Sequence, residues 1–142
     1  MEELGISYTG IIVATLANFF VGFLWYSVLF GKAWAKEMGM PMDQRPSSGQ
    51  MAKSLIMNLI GCFLLAYVFA HNNAAWSFVP GMDKMSTGAS IANAAIFTWL
   101  GFFVPVDINT VAWEGKSWKL FFINTSYHFV MVLASAIILM ML

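Results

Sequence analysis

The chain is poor in charge and nearly devoid of cysteine. Only 10% of its 142 residues are charged, seven Lys and Arg against seven Asp and Glu, and the formal net charge is zero. The basic residues are scattered, which leaves no stripe able to follow a phosphate backbone, so nucleic acid is not an expected partner. The single cysteine, Cys62, rules out an internal disulfide, and its place in an apolar stretch reads as that of a small buried hydrophobe. Also absent are a Gly-x-Ser-x-Gly elbow, a His-Glu-x-x-His pair, a phosphate loop and a Cys-x-x-Cys pair. No catalytic residues, metal site or cofactor are expected, and the protein reads as non-enzymatic. The chain starts with Met1, Glu2 and Glu3 where a secretory leader carries a basic region. Its first apolar run is also longer than a leader's core, so that run is read as a retained helix.

What is abundant is apolar surface. Hydrophobic residues make up 60% of the chain, leaving too little polar surface to coat a water-soluble globule of this size. A bilayer is spanned by about 20 mostly apolar residues, and four stretches qualify, at 6–30, 52–71, 88–112 and 117–141. The expectation is a single transmembrane domain over residues 1–142: an all-α membrane protein of four transmembrane helices in an antiparallel bundle. Each stretch sets one asparagine into a row of small residues at every fourth position, as in Gly10, Ala14, Asn18 and Gly22, or Ser54, Asn58, Cys62 and Ala66. In lipid the hydrophobic drive for helix association is gone, so close backbone approach at small residues and amide hydrogen bonds must hold helices together. One four-helix bundle cannot bury all four rows centrally, which leaves a row for a homo-oligomer or for another membrane protein.

The basic residues predict orientation. Lys32, Lys36, Arg45 and Lys53 fall between the first two stretches, Lys116 and Lys119 at the last turn, and only Lys84 in the second connection. Cytoplasmic loops collect Lys and Arg, which places both termini on the non-cytoplasmic side. Trp25, Tyr26, Trp34, Trp113 and Trp118 then belt the inner interface, with Trp76 and Phe78 near the outer one. Gly31-Lys32-Ala33-Trp34 is echoed by Gly115-Lys116-Ser117-Trp118 at the same predicted end. Duplication of a two-helix unit and a shared interfacial solution both account for the echo. The unequal spacing of Asn18 and Asn93 from the two Gly-Lys pairs favours the second.

Several residues carry chemistry. Asp107 is the one carboxylate inside a predicted span and invites a functional reading. It sits about five residues, roughly 7–8 Å of helix, from the inner end, just after Pro105, which frees a carbonyl and allows a bend. A solvated Asp at a kinked helix end, capping Asn109 or Asn124, competes with an ion-coupling carboxylate and is favoured by that depth. His128 lies about ten residues into the last stretch, where an imidazole can move protons or simply pair with an amide or Tyr across the bundle. The depth difference between Asp107 and His128, roughly 7–8 Å, predicts that a direct pair needs tilt or a bridging water, and makes Asn124 the better match for Asp107. Asn18, Asn58, Asn93 and Asn124, with Asp107 and His128, can line a polar path, or the amides can act as interhelical clamps. Met38, Met40 and Met42 alternate in a way that suits monovalent copper, but no Cys or second His accompanies them. Asn124-Thr125-Ser126 spells a glycosylation acceptor inside a span, where it is unusable.

Gly22-Phe23-Leu24-Trp25-Tyr26-Ser27 followed by Phe30-Gly31-Lys32-Ala33-Trp34, and later Trp99-Leu100-Gly101-Phe102, Pro105, Asn109, Trp113-Glu114-Gly115-Lys116-Ser117-Trp118-Lys119, Ile123-Asn124 and Tyr127-His128, resemble a small bacterial membrane protein family, domain of unknown function 1761. The resemblance covers nearly the whole chain and implies about four helices in the bacterial inner (plasma) membrane, with no activity attached. Val28 stands where the family often has proline, and Asp107 where it often has an apolar residue. The matched residues Trp25, Tyr26, Lys32, Trp34, Trp113, Lys116, Trp118 and Asn124 fall at one interface. There they can form an aromatic and basic cluster for a lipid headgroup or an acidic ligand, or serve as ordinary belt anchors. The expected role is therefore binding of membrane lipids or a partner membrane protein at the cytoplasmic interface, with a small proton-linked transporter or channel as the alternative.

Overall fold

The computed structural model describes residues 4–41 and 45–142. Glu2, Glu3 and Met42 lie outside the described residues. Six α-helices follow in order: α1 (Tyr8–Phe23), α2 (Gly31–Glu37), α3 (Ser48–Trp76), α4 (Thr87–Thr98), α5 (Val104–Ala112) and α6 (Trp118–Met141). A π-helical segment, Leu24–Leu29, extends α1, and another, Trp99–Phe103, joins α4 to α5. Four continuous helical stretches result, Tyr8–Leu29, Ser48–Trp76, Thr87–Ala112 and Trp118–Met141, each long and apolar enough to cross a membrane. The protein is an all-α, multi-pass membrane protein, as the apolar pattern implies. The second span runs further at both ends than its apolar core, because His71, Asn72 and Asn73 stay helical up to Trp76.

All four spans begin alike. Ser7, Ser47, Ser86 and Ser117 sit in extended backbone, and each hydroxyl accepts the N–H three residues on, from Gly10, Gln50, Ala89 and Leu120. Each cap satisfies a backbone donor that the helix itself cannot. The turn between α5 and α6 closes with Gly115 at φ 66°, a left-handed conformation that suits glycine, and the Lys116 N–H returns to the Thr110 carbonyl at 3.0 Å.

The helix α6 is the hub, packing on α1, α4 and α5, while α3 packs mainly on α1. The seam of α1 is its small-residue row: Gly10, Ala14, Asn18 and Gly22 are all buried. The row on α3 divides. Cys62 and Ala66 are buried, and Ala66 and Ala70 meet Ile11 and Ala14 of α1, whereas Ser54 and Asn58 lie in a run, 51–61, in which every residue is exposed. The half of α3 nearest α2 therefore stands away from the bundle. A second cluster joins Phe69 of α3, Ala95 of α4, and Val132 and Ala136 of α6.

Candidate functional site

The two π segments aim aromatic side chains at α6. In the first, the Phe30 N–H reaches back five residues to the Trp25 carbonyl at 2.8 Å, and the Ser27 hydroxyl donates to the Phe23 carbonyl within the same turn. The wider turn lets two consecutive residues face one neighbour. Trp25 Nε1 donates to the Ile123 carbonyl at 2.9 Å, and Tyr26 Oη donates to Asn124 Oδ1 at 2.8 Å. In the second, Pro105 has no N–H for the carbonyl one turn earlier, and the ladder shifts so that Val104 N–H bonds to the Trp99 carbonyl. Trp99 Nε1 donates to the Thr125 carbonyl at 2.8 Å, and its indole packs edge-on to Phe129. Trp99, Phe103 and Asp107, spaced by four, form the stripe that faces α6.

At the foot of that stripe Asp107, only 5% exposed, meets His128, with Nδ1 to Oδ2 at 2.7 Å. With Nδ1 carrying the proton, the imidazole donates to the carboxylate. The Phe103 ring lies 5.0 Å from the imidazole and the Tyr127 ring 5.5 Å from it, so apolar ring surface flanks the pair. The contact corrects the depth argument's match of Asp107 with Asn124, and it is direct, with no bridging group between carboxylate and imidazole. Side chains lean toward the N-terminus of their own helix. The short turn makes α5 and α6 antiparallel, so the shallower Asp107 leans deeper while the deeper His128 leans back, and both leans narrow the gap. Asp107 is likewise no solvated cap: its carboxylate is buried on His128, and Asn124 is taken by Tyr26.

The amides do not line up along one path. Asn18 is fully buried and donates Nδ2 to Ser135 Oγ at 2.8 Å, clamping α1 to α6, while its Oδ1 has no hydrogen-bond partner. Asn124 clamps the same two helices through Tyr26. Asn58 and Asn93 are exposed, with only sulfur contacts, to Cys62 Sγ at 3.9 Å and to Met85 Sδ at 3.8 Å.

The aromatic and basic cluster is also divided. Trp25, Tyr26, Trp34 and Asn124 interlock, Trp34 standing edge-on to Tyr26 at 5.5 Å and Tyr26 edge-on to Tyr127 at 5.0 Å. Trp113, 86% exposed, and Trp118, 57% exposed, make no ring contact with that group, and Trp118 stands edge-on to Phe121 instead. Lys32 is exposed and Lys116 half-buried. The helix α2 is tied across this end by the Ser117 hydroxyl, which donates to Glu37 Oε2 at 2.6 Å. Sequence reasoning missed both π segments and the anchoring of Trp25 and Trp99 on α6 carbonyls. The available signals were Pro105 after a Trp-Leu-Gly run and Ser27 one turn after Phe23.

These features define a multi-pass helical membrane protein with an acid and an imidazole paired between two of its spans. The family model described as Protein of unknown function (DUF1761) matches residues 9–140, and the chain belongs to that family. No curated protein and no solved structure matches it.

Proposed function

We propose that this is a small non-enzymatic, proton-linked transporter or channel of the bacterial plasma membrane, with Asp107 and His128 as its proton-binding centre. The observation that carries the reading is the direct contact of a buried carboxylate with an imidazole between two spanning helices. Ionisable groups at such positions are costly and mark ion or proton routes by default. With the imidazole neutral and the carboxylate ionised, the pair carries one net negative charge; one added proton makes it neutral overall. In a low-dielectric interior those two states differ strongly in their attraction for a cation, so proton uptake and cation occupancy oppose each other at one place. Access falls to His128, whose side chain is 24% exposed against 8% for Asp107. The lysine distribution supports an orientation with both termini outside, the pair being nearer the cytoplasmic face.

The test is proton flux into liposomes holding a pH-sensitive dye, driven by an imposed pH gradient with valinomycin and potassium clamping the potential. Wild type is expected to exceed protein-free vesicles, and His128→Ala and Asp107→Asn to fall to that background while remaining folded by circular dichroism. Background flux in wild type, or undiminished flux in both variants, overturns the reading.

A second reading, docking of a partner membrane protein, has its own support in the free half of α3. Binding of a headgroup by the tryptophan and lysine cluster has less, since Trp113 and Trp118 make no ring contact with Trp25, Tyr26 or Trp34.

A further inference from the structure

At the other end of the bundle, where the termini and the 77–86 connection gather, a cleft of about 910 Å³ opens between α3, that connection and α4. Its chemistry is graded. Asn72 and Asn73 from α3, Asp83 from the connection and Asn93 from α4 line the polar part, while Phe97 of α4 and Phe102 of the π segment that follows it, 71% and 72% exposed, wall the part deeper along the third span. From Asn93 to Phe102 the helix axis advances roughly 13 Å. Polar groups at the membrane surface giving way to rings along a spanning helix is the polarity order of a phospholipid lying beside that helix.

Two features narrow the headgroup. The first is charge: among the described residues Asp83 is the one charged side chain lining the cleft, and no Lys or Arg lines it. A headgroup with net negative charge finds no counter-charge there, whereas an ammonium finds a carboxylate and donates to it. The second is an unpaired donor. Asn73 Nδ2 has no acceptor in the protein and is shielded from solvent as it stands, but Asn73 lines both this cleft and the adjoining cavity of about 510 Å³, so a turn of its amide toward the cleft presents the donor to a ligand oxygen. A buried amide donor left unpaired is costly, and an ester or phosphate oxygen would satisfy it. Asn93 is free to help, since its amide is held only by the Met85 thioether at 3.8 Å.

We propose that this cleft binds a zwitterionic phospholipid with a primary ammonium headgroup, of the phosphatidylethanolamine class. The ammonium rests on Asp83, phosphate or ester oxygens accept from Asn73 and Asn93, and one acyl chain lies along Phe97 and Phe102. The site is separate from the Asp107 and His128 pair and does not depend on the proposed proton linkage.

Native mass spectrometry of the full chain, loaded from mixed micelles with equal amounts of phosphatidylethanolamine, phosphatidylcholine and phosphatidylglycerol of identical chains, tests it. Ethanolamine lipid should be retained several-fold over both others. Asp83→Asn, at an exposed position where folding is not at stake, should erase that preference, and Asn73→Leu should lower ethanolamine lipid retention. Free phosphoethanolamine, which has the headgroup without chains, should not displace the lipid. Equal retention of the three lipids, preference for phosphatidylglycerol, choline lipid held as well as ethanolamine lipid, or an unchanged preference in Asp83→Asn would each overturn the proposal.

Discussion

His128 has two unlike neighbours: its Nδ1 lies 2.7 Å from Asp107 Oδ2, while the Phe103 ring stands 5.0 Å from the imidazole. Both contacts come from one stripe of the third span, so a single helix supplies both the hydrogen-bond partner and an apolar wall for the imidazole. Removing His128 leaves the Asp107 carboxylate without its hydrogen bond where its side chain is only 8% exposed, and removing Asp107 leaves the imidazole without its acceptor. Leaving a buried donor or acceptor unsatisfied costs about 1–3 kcal/mol, whereas ordinary interhelical hydrogen bonds in membranes average about 0.6 kcal/mol and reach about 1.7. A double-mutant cycle of Asp107→Ala and His128→Ala, read by unfolding in mixed micelles, is expected to give a coupling above about 1 kcal/mol. A coupling near zero would show that the contact contributes nothing to the fold.

Much of the architecture was legible because lipid leaves few options. Spans of the required length are dictated by backbone hydrogen bonding, and 8–29, 48–76, 87–112 and 118–141 follow the apolar runs with modest shifts. The site was less legible. Depth counted along ideal helices set Asp107 and His128 roughly 7–8 Å apart, and neither the opposed lean of side chains on antiparallel helices nor the π turns at Leu24–Leu29 and Trp99–Phe103 enter such a count. The every-fourth pattern on α1 marked a true seam. The same pattern on α3 marks one only from Cys62 onward, because a helix crossing another touches it over part of its length.

Asn18 and Ser135 should respond unequally to mutation. Ser135 Oγ accepts from Asn18 and also donates to the Met131 carbonyl at 2.9 Å, whereas Asn18 Oδ1 is buried without a partner. Ser135→Ala leaves the whole Asn18 amide unsatisfied and is expected to cost about 1–3 kcal/mol. Asn18→Leu removes an orphaned acceptor together with a donor of similar volume, and should cost less than Ser135→Ala. Thermal unfolding of both variants in detergent checks the order, and the reverse order refutes it.

Two glycines near the aromatic network differ in what surrounds them. A Cβ at Gly22 would lie 2.9 Å from Tyr127 Oη, the end of a side chain, while one at Gly31 would lie 2.8 Å from the Tyr26 carbonyl oxygen, which belongs to the backbone. The Tyr127 ring can shift as a side chain by about the few tenths of an ångström needed; a backbone carbonyl held in a π turn has less freedom. Gly31→Ala should therefore destabilise more than Gly22→Ala and displace α2, which would appear as faster proteolysis between α2 and α3.

The exposed half of α3 leads to the last prediction. Residues 51–61 are exposed on every side, and Gly61 has open space within 4 Å of where a Cβ would be. An apolar helix surrounded by lipid is in no difficulty, since acyl chains solvate it as well as other helices do. Asn58 is the exception: its amide lies on that surface with only the Cys62 thiol at 3.9 Å, and hydrocarbon offers it no hydrogen bond. An amide from another spanning helix can relieve it, and the Ser54 and Gly61 surfaces allow close approach there. If another helix does dock, Asn58→Leu and Gly61→Leu should each weaken association several-fold, the first by removing the hydrogen bond and the second by keeping the backbones apart. Neither should alter monomer unfolding by more than about 0.5 kcal/mol, as expected for surface substitutions. Disulfide trapping of Ser54→Cys in native membranes provides the readout, because Cys62 is buried at 2% exposure and should not compete. Cross-linked species that are strong with Asn58 present and faint in the Asn58→Leu background would locate the contact on this face. Cross-linking unaffected by both substitutions, or absent altogether, would mean that lipid alone covers it.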